Sequence, residues 1–291
     1  MTRGPGISRG PVLLRPRVLD KSVVQAPSSC ASVFSPLSRA MTQPSTSERS
    51  PGYDAPPPSP PKPEKASLLD DFMDIFYAPS AVFARRENSS FWVPLLIVTV
   101  LGALIFFANR DLMEPIMEAE MQRSMAASGQ QLTPEQMETA RRFTSGIGVV
   151  SAFVIPPLAI LLVGVVLWLV GKFFDARQTL NAALVVAAFS FVPRVVEGII
   201  SRVQGLFVDP ASLDGRFSLS IGPGRFLDPD TVSPILLAFV GRLDLFTIWV
   251  TVLLAIGLAV TGKISRGKAA IAAAIVWLVG GLPTIAGALR Q

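Results

Sequence analysis

The chain has 291 residues, half of them hydrophobic and only 16% charged, with a mean hydropathy of +0.50. A soluble domain carries about a quarter charged residues, so this balance points to an all-α membrane domain behind a polar tail. The net charge of +5 comes without a basic stripe interleaved with aromatics, and there is no histidine and one cysteine, Cys30. We therefore expect no nucleic-acid partner, disulfide framework, zinc or copper site or histidine-based triad.

Residues 1–66 are rich in Pro, Ser, Arg and Gly, with six prolines between Ala55 and Pro63. Such a segment buries too little apolar surface to offset its ordering entropy, and disorder is expected. The proline run favours extended polyproline II, as a linker by default or as a ligand for a proline-binding module. The first forty residues carry Arg3, Arg9, Arg15, Arg17 and Arg39 against one acid, Asp20. That pattern resembles an organellar transit segment, or it lies upstream of a true start at Met41, the reading we prefer. A basic flank, apolar core and small-residue cleavage site do not occur together, so no secretory signal is expected.

From Ser67 to Pro79 the sequence reads as a short amphipathic helix. Positions 68, 69, 72, 75 and 76 form its apolar face, Ser67 caps it, Asp70, Asp71 and Asp74 occupy the remainder, and Pro79 ends it. It is expected to lie along the membrane surface or on a bundle. Its acidic side argues against simple adsorption to anionic lipid and leaves a partner-binding role open.

Five spans follow, at about 91–109, 146–172, 180–201, 244–262 and 268–289. Phe91–Ala108 is 18 residues without a charge and reaches about 27 Å, enough for the hydrocarbon core. The second span contains Pro156-Pro157, where a kink is expected. Pro193, Arg194 and Glu197 interrupt the third, the weakest of the five. The fourth and fifth form a tight antiparallel hairpin around Ile264–Gly267. With the tail in the cytoplasm, every lysine falls inside, while the outside loops hold only arginines, offset by acids. This gives an oriented arrangement in which the N-terminus is expected in the cytoplasm. The first outside loop, rich in glutamate, should be helical; the second, turn-rich, should hold a small hairpin at Arg216–Ser220 and Arg225–Asp228.

Small residues recur four apart at Ala183/Ala187, Ala255/Ala259 and Ala270/Ala274, a spacing for close helix packing within the bundle or between copies. Arg194 and Glu197 share a helix face and form a candidate intramembrane polar pair, structural by default and a substrate or ion contact in the alternative. Asp244 is expected to cap the fourth span. No phosphate-binding loop occurs; Gly262-Lys263 and Gly267-Lys268 lack the glycine spacing and the strand. We expect no catalytic, cofactor-binding or metal-binding residues, and no enzyme.

Three segments carry a resemblance: Asp74–Phe83 with Pro79 and Phe83; Asp244–Trp249, with Phe246, leading to Gly257; and Ser265–Ala270 with Lys268. Together with the five spans they resemble the Yip domain family, membrane proteins named for binding Ypt/Rab GTPases, and specifically its bacterial branch. The resemblance covers about residues 67–288. It implies a five-span domain with a cytoplasmic N-terminus that acts on membranes by binding partners or copies of itself, with no catalytic residues to carry over. The Asp-Leu-Tyr-Gly-Pro segment of eukaryotic members is missing here, so the resemblance gives no ground for carrying over GTPase binding. A non-enzymatic role in membrane organisation or protein–protein interaction is the expectation; the alternative is a small transporter or channel component using Arg194/Glu197.

Overall fold

The computed structural model describes residues 66–129, 133–209, 212–213 and 215–289. The tail expected to be disordered, with Cys30 and Met41, lies outside them. Ten α-helices run along the described residues: α1 Leu68–Tyr77, α2 Pro79–Arg86, α3 Trp92–Ala108, α4 Arg110–Ser128, α5 Pro134–Phe173, α6 Leu180–Ser190, α7 Val192–Gly205, α8 Pro234–Val240, α9 Leu245–Gly262 and α10 Arg266–Ala288. The protein is an all-α, polytopic transmembrane bundle.

Four stretches are long and apolar enough to cross a membrane: Gly146–Phe173, Leu180–Gly205, Leu245–Gly262 and Arg266–Ala288. A fifth candidate crossing is α3, 17 residues without a charge, which reaches the same measure together with the start of α4. It meets α4 at a 77° bend. Asn109 fixes that corner by donating its side-chain amide to the Gly198 carbonyl at 3.0 Å. Because α4 carries Glu114, Glu118 and Glu120, the bend turns a charged helix away from the hydrocarbon. Large apolar side chains stand exposed along α3 and α5, among them Leu96, Leu104, Phe153, Leu158 and Leu162. In water such a surface is untenable, and in a bilayer it is the lipid-facing side.

The third span differs most from its sequence reading. It consists of two helices that meet at Phe191, because Pro193, in the first turn of α7, has no N–H to continue the ladder of α6. Yet α6 is the centre of the molecule. Ala182–Ser190 are all buried, and α1, α2, α3, α5, α7 and α9 pack around them. Glycines allow the closest approaches: Gly164 of α5 lies against Leu184, and Gly257 of α9 lies against Val186. The second span extends into a 40-residue helix, α5, which continues as one helix through Pro156-Pro157. Its apolar part starts at Gly146, and a Thr133/Gln136 capping box starts the charged turns before it.

The small-residue pairs divide. Ala183 and Ala187 are buried, and Ala255 and Ala259 are half-buried against the core. Ala270 and Ala274 are exposed, with Ala269, Ala272 and Ala273 in the interior instead. The last two spans form the expected hairpin, reversed at Lys263 in the left-handed region (φ 55°) and restarted by the Ser265 cap.

The hairpin expected in the second outside loop does not form, and no strand occurs among the described residues. Residues 215–220 close local turns instead, and Asp244 ties the end of that stretch to α9. Its carboxylate accepts from Ser220 Oγ and from the Ile221 amide, each at 3.0 Å, and the Leu245 amide donates to the Ile221 carbonyl. The loop is therefore laced to the start of α9. It continues as turns and a one-turn 3-10 helix, Pro223–Phe226. Gly222 sits where a Cβ would come within 2.9 Å of the Asp244 backbone, so only glycine fits that crossing.

Candidate functional site

Two polar ends bracket the apolar bundle, and they differ in their cations. At the lysine end, Lys263 pairs with Glu87 at 2.8 Å, Lys268 with Asp175 at 3.4 Å, and Asn181 donates to the Ser89 carbonyl. Beneath this surface the single hydroxyl proton of Thr261 is shared between Gln178 Oε1 and the Gly257 carbonyl, and Gln178 donates to the Leu167 carbonyl, so its buried amide is satisfied. At the opposite end every cation in these contacts is an arginine. Arg202 holds Asp111, Arg123 holds Asp230 at 2.7 Å, and Arg216 holds Glu120 at 2.8 Å. The Arg123 hydrogen bond keeps the Asp230 carboxyl below the usual carboxylate range. Leu112 and Ile116 of α4 bury Leu213 and Leu219, so α4 and the loop after α7 form one packed cap.

Arg194 and Glu197 lie just under that cap on α7. Their side chains meet at 2.6 Å, and Arg194 also donates to Thr247 Oγ1 of α9 at 2.7 Å. The pair therefore bridges two helices. It lines neither the cavity of about 630 Å³ beneath the cap, walled by Glu120, Arg123, Arg216, Asp230 and Pro283, nor the groove of about 290 Å³ between α4 and α5.

Asp244 is buried and caps α9 through the Phe246 and Thr247 amides while its other oxygen holds the outer loop. Phe246 and Trp249 stand next along α9, with Phe246 fully in the core and Trp249 edge-on to Phe76 of α1. Pro79 opens α2, Phe83 is buried, and Ser265 accepts the Lys268 amide. These positions do not converge on one point. They are fasteners spread along the interfaces of α2, α9 and α10.

Two clusters escaped the sequence reading. Arg242, between α8 and α9, donates to the Trp277 carbonyl at 2.6 Å and the Gly280 carbonyl at 3.1 Å, and its guanidinium lies over the Trp277 ring. Burial, then the positive charge of Arg194, lower its pKa, and it stays a cation at neutral pH. The Gly280-Gly281 pair makes room for it.

The second cluster lies in the segment before the first span. Asp71, assigned from sequence to the polar side of α1, is fully buried, whereas Leu69, assigned to the apolar face, is exposed. Asp71 accepts from Arg85 Nη2 at 2.6 Å and from Arg86 Nε; Arg85 reaches Asp74, and Arg86 donates to the Ala66 carbonyl at 2.8 Å. The missed signal was the spacing: Asp71 stands one turn before Ile75 and three after Leu68, in the middle of the buried stripe.

Among the described residues, no three of His, Cys, Asp and Glu come together to hold a metal ion. What the geometry does provide is a helical domain fastened at both ends, from the segment before the first span to the end of α10. A Yip1 domain matches this same stretch, residues 73–287. The chain belongs to the Yip1 domain family. It is 30% identical over 218 residues to membrane protein YknW of Bacillus subtilis (strain 168), a match that covers 74% of this chain and 86% of that protein. No solved structure matches. The Yip1 match takes in α1 from Met73, α2 and the outer cap, so these belong to the domain together with the spans.

Proposed function

We propose that this Yip1-family protein is a non-enzymatic component of the bacterial cytoplasmic membrane, acting in membrane organisation through helix packing and the binding of membrane partners or further copies of itself. One observation supports this reading above the others. The closest approaches to α6 are made at Gly164 and Gly257, the rest of the interior is filled with apolar side chains, and the charged pairs close on partners within the chain. That is how a scaffold uses its core.

The second reading, a small transporter or channel component, draws on Arg194 reaching across to Thr247. A flux assay in liposomes separates the two. Wild type and the Arg194→Ala/Glu197→Ala variant should show equally low flux, with defined membrane partners retained on co-purification. Flux that depends on the pair would overturn the proposal.

The proposed orientation, with the N-terminus in the cytoplasm, is supported by Glu87, Asp175 and Lys263–Lys268 sharing one end of the bundle. Reporters fused after Pro60, Asp175 and Arg266 should read as cytoplasmic, and those after Met125 and Gly215 as external. An external signal at Asp175 or Arg266 is incompatible with it.

A further inference from the structure

We infer that α1 and α2 form a re-entrant hairpin, embedded in the acyl chains of the leaflet at the lysine end, that does not cross the membrane. Four contacts define its shape. Asp71 meets Arg85 and Arg86, Asp74 meets Arg85, and Arg86 meets Ala66. As the residue number rises on one helix it falls on the other, so the two run antiparallel about a tip at Tyr77-Ala78-Pro79.

Two markers give its depth. The open end sits at the surface, where Glu87 pairs with Lys263 just past α9 and Ser89 bonds Asn181 at the start of α6. Towards the tip, Phe72 packs on Phe189, the tenth residue of α6, at 5.4 Å, and Phe76 packs on Trp249, the fifth residue of α9. At 1.5 Å per residue, Phe189 stands about 14 Å and Trp249 about 20 Å from that end of the bundle. The eight residues of α2 span about 12 Å, so the tip lies near the middle of a hydrocarbon core about 30 Å thick.

The outer face of the hairpin suits that depth. Leu69, Met73 and Tyr77, spaced four apart, are 77%, 62% and 84% exposed. The exposed positions of α2 before Arg85 are Ser80, Ala81 and Ala84. The charges of the hairpin are accounted for elsewhere. Asp70 stays in the first turn at the surface, bonded to Ser67, and Asp71 and Asp74 are neutralised by Arg85 and Arg86. The stripe itself is uncharged, Asp71 is enclosed, and the exposed sides of Asp74 and Arg85 are paired with each other, which is a surface that acyl chains accept better than water does. Leu69, which the bundle leaves outside, is thereby given a reason.

The test is the depth of a spin label in phospholipid nanodiscs. In a Cys30→Ser background, single cysteines replace Leu69, Met73 and Tyr77, with Leu104→Cys on α3 as the lipid reference and Ser265→Cys as the aqueous one. The ratio of collisions with oxygen to collisions with a water-soluble nickel chelate should rise from Leu69 through Met73 to Tyr77, ending near the Leu104 value. A ratio like that of Ser265 at all three sites would place the hairpin in water and overturn the inference. Low collision with both reagents would put protein against the stripe and overturn it equally. Failure of the Leu104 reference would fault the embedding of the whole bundle instead. All three substitutions are at exposed positions, so folding is not at stake.

Discussion

Replacing Asp71 by alanine is expected to cost about 3 kcal/mol of stability, the lower end of the range for breaking a buried ion pair. Asp71 is fully buried and is the shared acceptor of Arg85 and Arg86. Its loss leaves two guanidiniums facing each other at the open end of the α1–α2 hairpin. Arg85 is more than a third exposed and regains water, which is why the upper end of the range is not reached. The measurement is thermal unfolding in detergent. Asp71→Asn should fall between wild type and alanine, since an amide oxygen still accepts one of the two donors. In Asp71→Leu/Arg86→Leu both a charge and its partner are gone, and the double variant should recover part of the loss. Wild-type melting of Asp71→Ala would show that the cluster contributes nothing to the fold.

The second large effect belongs to Gly257. A Cβ there would stand 2.3 Å from Val186 Cγ1 and 2.9 Å from its Cγ2. Valine has one preferred rotamer in a helix and cannot swing aside, and α6 is enclosed on all sides. Gly257→Ala should therefore push α9 from α6 and destabilise the bundle by about 1–3 kcal/mol, the usual cost of overpacking. The contact is directly testable by a double-mutant cycle. Gly257→Ala combined with Val186→Ala should lose less than the sum of the single losses, because the second change vacates the space the first requires. Strict additivity would mean that the two helices do not meet at this point.

Both residues show where sequence reasoning reached and where it stopped. The spans could be read because a bilayer demands long uncharged stretches, and that demand is local: predicted bounds of 91–109 and 244–262 meet observed helices at 92–108 and 245–262. Caps were equally legible. Ser67 and Asp244 each accept the amides expected of them, since a cap depends on residues only a few positions away.

Burial was not legible, for a reason particular to membranes. Lipid and protein interior both favour apolar residues, so composition cannot tell a central helix from a peripheral one. The third span, which read as the least secure because of Pro193, Arg194 and Glu197, is for that reason the one whose place only the packing could give. Its first half is the centre of the bundle, and its charges follow the break at Phe191, where Arg194 and Glu197 meet each other and Thr247 receives Arg194. Asp71 marks the same limit. By itself the sequence determined that this is a helical membrane domain, where its long apolar helices run, and that Ser67 and Asp244 start two of its helices. Only the tertiary structure decided which faces are covered, that Asp71 is inside and Leu69 outside, and that the loop before α8 and α9 forms turns laced to Asp244 in place of a hairpin. Those outcomes depend on partners 14 to 24 residues away along the chain, beyond what helical periodicity encodes.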